Sequence, residues 1–237
     1  MKMHAIIPAR GGSKSIFKKN IYKIEGYPLI AYTIAACKFC KDIDRIIVST
    51  DSNEIADVSK QYGAEVPFMR PKKYAIDESS DFGYLKHFFE NIDVDEVALL
   101  RPTTPLRNHV VISETIDIYY KNKDKMSGLR TAQEIGQPVY KMFKKVGNYY
   151  EGFFDNYEGV KDYTNLPRQK FPKTYLPNGY IDIIKRETVE NGDVFGNKIF
   201  ACVTDRITDV DSIEDIPFLK FEINKEKYIY KYFGEFY

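Results

Sequence analysis

Short apolar runs and amphipathic stretches alternate along the first half of the chain. Residues 5–8 form an apolar run of strand length, and residues 29–39 carry apolar side chains at helical spacing. Residues 45–49 read as a second strand. A helix is predicted over residues 53–62, opened by Ser52 as N-cap and closed by Gly63 at the C′ position. Residues 82–89 suggest another helix, residues 96–100 a third core strand and residues 110–122 a further helix. Strands that alternate with helices predict a doubly wound, mostly parallel α/β sheet of the Rossmann-like type. The pattern changes after about residue 126. Residues 128–132 and 139–146 read as strands, followed by a stretch rich in Tyr, Phe, Asn and Gly over residues 148–163. Residues 222–237, alternately charged and aromatic, read as a docked helix or a frayed tail.

Open α/β sheets bind ligands outside the carboxyl ends of their strands. Three polar segments fall at such ends: residues 10–14, 50–52 and 101–107. They are expected to converge on one crevice.

Composition changes the picture only by exclusion. The chain has 237 residues, enough for one enzyme-sized α/β domain, and 35 basic residues against 34 acidic ones. No global field therefore draws it to nucleic acid or to an anionic membrane, and positive charge must act locally. No apolar stretch approaches a membrane span, and Pro8 and Arg10 interrupt the place of a signal-peptide core, so a cytoplasmic protein is expected. Cys37 and Cys40 form a C-x-x-C within the predicted helical region, without the second pair that a zinc site needs. Burial is the expected role of both. His4, His87 and His109 share no ligand spacing, and none is nominated as a base.

The first twenty residues carry the chemistry. The run ending at Ala9 breaks into Arg10-Gly11-Gly12-Ser13-Lys14 and continues to Lys18-Lys19-Asn20. Glycines let backbone N–H groups approach phosphate oxygens, and Arg and Lys supply countercharge. The spacing matches neither the nucleoside-triphosphatase loop nor the dinucleotide fingerprint. It resembles instead the signature of the CMP-sugar synthetases (acylneuraminate and Kdo-type cytidylyltransferases), I-P-A-R-x-G-S-K-x-x-x-x-K-N. The resemblance spans roughly residues 3–217. It implies a loop in which Ala9, Arg10, Gly12 and Ser13 cradle the phosphates of CTP, with Arg10 and Lys19 acting on the reacting phosphate and Asn20 beside cytosine and ribose. Arg70 matches a family arginine associated with the nucleotide, and Ser79 or Ser80 is expected to line the cytosine pocket. The same resemblance makes residues 135–175 a dimerisation extension of a single domain over residues 1–237, and implies a homodimer.

Acceptor contacts are expected from Arg101, Thr103, Thr104, Arg168 and Asn178. Where the family has Gln, this chain has Arg101. Either Arg101 binds an extra anionic group on the acceptor or it turns into a salt bridge, and its bidentate fork favours the first reading. Asp182 stands where the family has Tyr. Asn178 either contacts the acceptor or caps a turn with Gly179. Near the other end, Asp209 and Asp211 flank Val210. Residues two apart in extended chain face one side, so both carboxylates can serve Mg²⁺, whereas helix capping would occupy only one. The family carries the same D-x-D as its metal site. The expected activity is transfer of CMP from CTP to an anionic sugar acid such as sialic, legionaminic or pseudaminic acid, releasing pyrophosphate and feeding surface glycans such as lipopolysaccharide or capsule. A related nucleotidyltransferase with another acceptor or nucleotide, or an inactive nucleotide-binding regulator, is the alternative.

Overall fold

Apolar side chains on both faces of the central strands require a sheet covered on both sides. The computed structural model describes residues 2–234. In chain order the elements are β1 (Met3–Pro8), β2 (Lys23–Ile24), β3 (Tyr27–Pro28), α1 (Leu29–Phe39), β4 (Ile43–Ser49), α2 (Asn53–Gln61), α3 (Asp81–Asn91), β5 (Glu96–Leu99), α4 (His109–Asn122) and β6 (Gly128–Ile135). There follow β7 (Phe143–Val146), β8 (Tyr149–Gly152), β9 (Thr174–Lys185), α5 (Arg186–Glu190), β10 (Ile199–Val203), α6 (Asp215–Lys225) and α7 (Lys227–Phe233).

Six strands form the main sheet in the order β10-β6-β9-β5-β1-β4. β1 pairs in parallel with both β4 and β5, and β10 with β6, whereas β9 runs antiparallel between β5 and β6. The chain moves from β1 outward to β4 and then returns to β5 on the other side. That reversal opens a crevice at the carboxyl ends of β1 and β5. Alternation along the strands feeds two cores. Ala5, Ile7 and Ala98 pack with α1, α4, α6 and α7, while Ile6, Val97 and Leu99 pack with α3 and α5.

Local signals explain most boundaries. The Ser52 side chain accepts from the Ile55 N–H and opens α2, and Gly63 follows its end at φ +94°. Helix α1 is buried from Leu29 to Cys37, and it packs against the sheet and against α2, α4 and α7. Its all-round apolar sequence therefore has no solvent face. Cys37 and Cys40 are buried free thiols, as expected, and burial pushes the Cys37 thiol up to about 12. Residues 139–146 differ from the expected strand: Val139–Lys141 is a 3-10 turn behind Pro138, and only Phe143–Val146 is extended. Helices α6 and α7 resolve the C-terminal alternatives in favour of docking, with Ile229, Tyr232 and Phe233 buried and Phe233 stacked on Tyr27 at 3.7 Å. Residues 235–237 of that segment lie outside the described residues. No helix among the described residues is long and apolar enough to cross a membrane.

Candidate functional site

The N-terminal loop is held from beneath by the end of the second parallel strand. The Ala9 N–H donates to the Ser49 carbonyl at 2.9 Å, and the Gly11 N–H donates to Asp51 Oδ1 at 2.7 Å. A Cβ on Gly11 would lie 3.1 Å from that of Ser52, a tight approach that glycine makes without displacing Ser52, while Gly12 faces open space. The Asn20 amide donates to the Arg10 carbonyl at 2.9 Å and closes the loop on itself. Asn20 thereby shapes the loop as well as lining the cavity.

That cavity, about 520 Å³ in volume, lies at the carboxyl ends of β1 and β5. Arg10, Gly12, Ser13, Lys19 and Asn20 enter it from the first loop, Arg70, Ser79 and Tyr84 from one side, and Arg101 and Thr103 from the third strand's end. Residues 50–52 do not line the cavity, so only two of the three expected segments converge there; Asp51 acts on the first loop from outside through the Gly11 N–H. Ala9 is fully buried, Ser80 is an exposed residue preceding α3, and Thr104 is buried with its hydroxyl towards the Asn178 carbonyl. None of these three faces the cavity. A second cavity of about 510 Å³ lies beside α4, lined by Tyr180, Thr204 and Glu222, and contains none of the loop cations. Countercharge for phosphate therefore selects the first.

Lys19 joins the two ends of the chain. Its ammonium donates to the Val210 carbonyl at 3.1 Å and lies 3.9 Å from Asp211 Oδ1. The Val210 N–H in turn donates to the Thr103 carbonyl at 2.7 Å. Val210 is buried between exposed Asp209 and Asp211, the alternation expected of extended chain. Capping falls to neither of them: Asp215 accepts from the Asp211 and Ser212 N–H groups at 2.9 and 2.8 Å. Desolvation by the neighbouring protein atoms and then the Asp209 charge lift the Asp211 carboxyl above its ordinary range, and Lys19 opposes them. Two neighbouring, mutually repelling carboxylates free of capping duty form a donor set that fits Mg²⁺, which takes its remaining ligands from water and phosphate. No cluster of three or more metal-ligating side chains occurs among the described residues.

Arginines near the cavity are more committed than their sequence motifs reveal. Arg70 is buried, and donates to Ser49 Oγ at 3.0 Å and to the Ser49 carbonyl at 2.6 Å while its guanidinium lies 4.7 Å from the Tyr84 ring centroid. It forms no ion pair among the described residues, and burial depresses its pKa. Arg101 departs from the favoured reading. Its fork is spent on Asp182 Oδ2 at 2.9 Å and Asp81 Oδ2 at 2.5 Å, because the two positions that depart from the family pattern, 101 and 182, meet across β5 and β9. The salt-bridge alternative is the one observed, with Arg101 still lining the cavity. Asn178 is corrected in the same way. Only 8% exposed, it accepts from the Tyr180 N–H at 3.2 Å and donates to Thr204 Oγ1 at 2.7 Å. With Gly179 at φ +64°, it makes the turn that shifts the register of β9, and does not face the cavity.

Several contributors escaped sequence reasoning. Arg107, wholly buried, donates to the carbonyls of Arg101, Thr104, Gly179 and Tyr180 and so ties the 101–107 loop to β9. Its hydrogen-bond acceptors are all neutral, and burial lowers its pKa to about 10, with Asp209 among the groups that oppose the shift. Its place in the 101–107 segment was a signal, but its direction was not. Asp51 was visible as polar punctuation. Asp77 and Asp81 carried no signal.

Arg168 is exposed in a short 3-10 turn and lies outside the cavity of its own chain. Around it the aromatics divide: Tyr140 stacks on Phe171 at 5.1 Å and on Phe154 at 4.8 Å as a satellite core. On the β7–β8 hairpin, Phe143, Tyr149 and Tyr150 remain 52–77% exposed.

Solved structures place this fold. A CMP:2-keto-3-deoxy-manno-octonic acid synthetase complexed with CTP superposes with a TM-score of 0.72, over 95% of this chain and 100% of that one, at 15% sequence identity. The two chains share one fold over nearly their whole lengths. The sequence model of the cytidylyltransferases matches residues 4–153, and the chain belongs to that family. The pseudaminic acid cytidylyltransferase of Campylobacter jejuni is 30% identical over 236 residues, covering 95% of this chain and 99% of the relative. The N-acylneuraminate cytidylyltransferase of Escherichia coli is 31% identical over 220 residues, 92% of this chain but 50% of that protein, so the chain spans half the length of that relative.

Proposed function

We propose that this chain is a CTP-dependent cytidylyltransferase that transfers CMP to a nonulosonate sugar acid. The observation that carries the reading is Lys19, which lines the cavity and lies 3.9 Å from Asp211 Oδ1; Asp209 and Asp211 stand outside the lining itself, and Lys19 links it to Asp211. Relatives named for pseudaminic, legionaminic and N-acylneuraminic acids support the acceptor class. In the reaction an acceptor hydroxyl oxygen bonds to the α-phosphorus, the bond to the β-phosphate bridge breaks, pyrophosphate leaves and the hydroxyl proton is released. The loop from Arg10 to Lys14 binds the phosphates. Arg10 and Lys19 stabilise charge on the transferring group, a role whose removal costs on the order of 10²–10³ in rate. Arg70, Ser79 and Asn20 line the nucleotide end, and Thr103 borders the acceptor end. Asp209 and Asp211 would hold Mg²⁺, which when bound neutralises phosphate charge and lowers the pKa of the attacking hydroxyl.

The exposed hairpin aromatics fit a homodimer interface, since such surfaces concentrate aromatic residues at their cores. On that reading residues 135–175 are a dimerisation extension of one domain, with Arg168 directed to the partner's acceptor. A cytoplasmic location is compatible with a CTP-using enzyme. The test is pyrophosphate release with Mg²⁺, each of the four nucleoside triphosphates, and sialic, legionaminic, pseudaminic and Kdo-type acceptors. Release with CTP and one nonulosonate is expected. Silence throughout, or preference for another nucleotide, would overturn the reading.

A further inference from the structure

Asp77 lies in the irregular stretch between the 3-10 turn at Lys72–Tyr74 and α3, and its carboxylate reaches across the cavity mouth. Its Oδ1 accepts from Arg10 Nη1 at 2.5 Å, and its Oδ2 pairs with Lys14 Nζ at 2.5 Å. One carboxylate therefore spans two of the cations that the proposed function gives to phosphate. The other loop cations are engaged elsewhere: Lys18 turns to Glu54, and Lys19 is pinned beside Asp211. Two oxygens bridging two cations present the same hydrogen-bonding pattern that a phosphate would.

We propose that Asp77 is a built-in competitor for the phosphate position, a resident anion that phosphorylated ligands displace from Arg10 and Lys14. The inference rests on reading the 10–14 loop as a phosphate site. Sharing is disfavoured, because a phosphate on the remaining donors would lie beside the carboxylate, and like charges at that range repel even in water. Displacement is easy. Arg10, Lys14 and Asp77 are all at least one-third exposed, and exposed pairs are individually weak. Asp77 also belongs to no helix or strand, so its carboxylate can leave without breaking a backbone ladder. A polyphosphate, which engages more cations than a carboxylate can, wins the exchange. If Asp77 served instead to hold Arg10 and Lys14 in place for the ligand, its removal would weaken binding, so the two roles differ in sign.

The test is calorimetric binding of inorganic tripolyphosphate, the four nucleoside triphosphates and cytidine to the full chain and to Asp77→Asn and Asp77→Glu. Asp77→Asn is expected to tighten tripolyphosphate and CTP by about three- to tenfold, the scale of two exposed ion pairs. Cytidine should be unaffected, and Asp77→Glu should behave as the parent. Unchanged or weaker phosphate binding in Asp77→Asn, or equal tightening of cytidine, overturns the proposal. Tightening of tripolyphosphate and of all four nucleotides alike would leave Asp77 as the competitor and overturn the CTP reading. Selective CTP binding without tightening would do the reverse, and no binding of tripolyphosphate or of any nucleotide to either protein would overturn both.

Discussion

Replacing Arg101 with Gln tests whether the 101–182 pair is one compensated feature. Asp182 is 1% exposed and depends on the Arg101 fork at 2.9 Å, a Thr131 N–H at 3.3 Å and a more distant Arg130 at 3.9 Å. Burial already lifts its carboxyl above the ordinary range, and Arg101 is the largest opposing influence. Burial also works against the Arg101 charge, but the Asp81 and Asp182 carboxylates paired with it offset that and keep the guanidinium charged. Deleting one partner of a buried pair costs roughly 3–5 kcal/mol. Arg130 and the Thr131 N–H remain, so the lower end, about 3 kcal/mol, is expected for Arg101→Gln. In a chain of this size that lowers the melting temperature by roughly 6–12 °C. The loss is pH-dependent. A carboxyl whose folded pKa lies above its unfolded value binds more protons when folded, so stability is retained at low pH and falls as pH rises through the raised pKa. Arg101→Gln should push that pKa further up and steepen the fall. Urea unfolding at pH 5 and pH 8 measures both effects. Adding Asp182→Asn should recover most of the loss and flatten the pH dependence. A single variant as stable as the parent, or a double variant no better than the single one, would refute the reasoning.

Asp211→Ala should abolish pyrophosphate release with the fold intact, whereas Asp215→Ala, which removes a turn cap, should cost about 1 kcal/mol of stability and much less activity. Equal loss of activity in both would remove the carboxylate-pair assignment. Tyr149→Ser with Tyr150→Ser should shift the protein towards monomer in light scattering, since both rings are at least 75% exposed on the hairpin; an unchanged dimer mass would place the interface elsewhere. Cys37, with its thiol pushed up to about 12 and its side chain enclosed in α1, should resist iodoacetamide at pH 8 until the chain is unfolded, as read by mass spectrometry.

The fold was legible where short-range physics decides. Strand and helix alternation, the Ser52 cap and the Gly63 stop depend on neighbours a few residues away, and β1, β4, β5 and α1 to α4 follow them within a residue or two. The antiparallel placement of β9 was not legible, because pairing partners 39 to 89 residues apart leave no periodic trace. Among site residues, the approach of Lys19 to Asp211 was implied only by the family resemblance, which gives one to the reacting phosphate and the other to its metal; the three strand-end segments include neither.

By itself the sequence determined the family, the glycine and lysine loop, and the exposure of two carboxylates on either side of an apolar residue. All are properties of contiguous residues, where spacing alone sets which side a group faces. Only the tertiary structure decided which charges are free. Arg101 and Asp182, 81 positions apart, neutralise one another, and Asp77 lies on Arg10 across 67 positions. Ion pairing acts through space, and its partners are chosen by how the layers pack, so a motif reveals that a cation is present but not what already holds it.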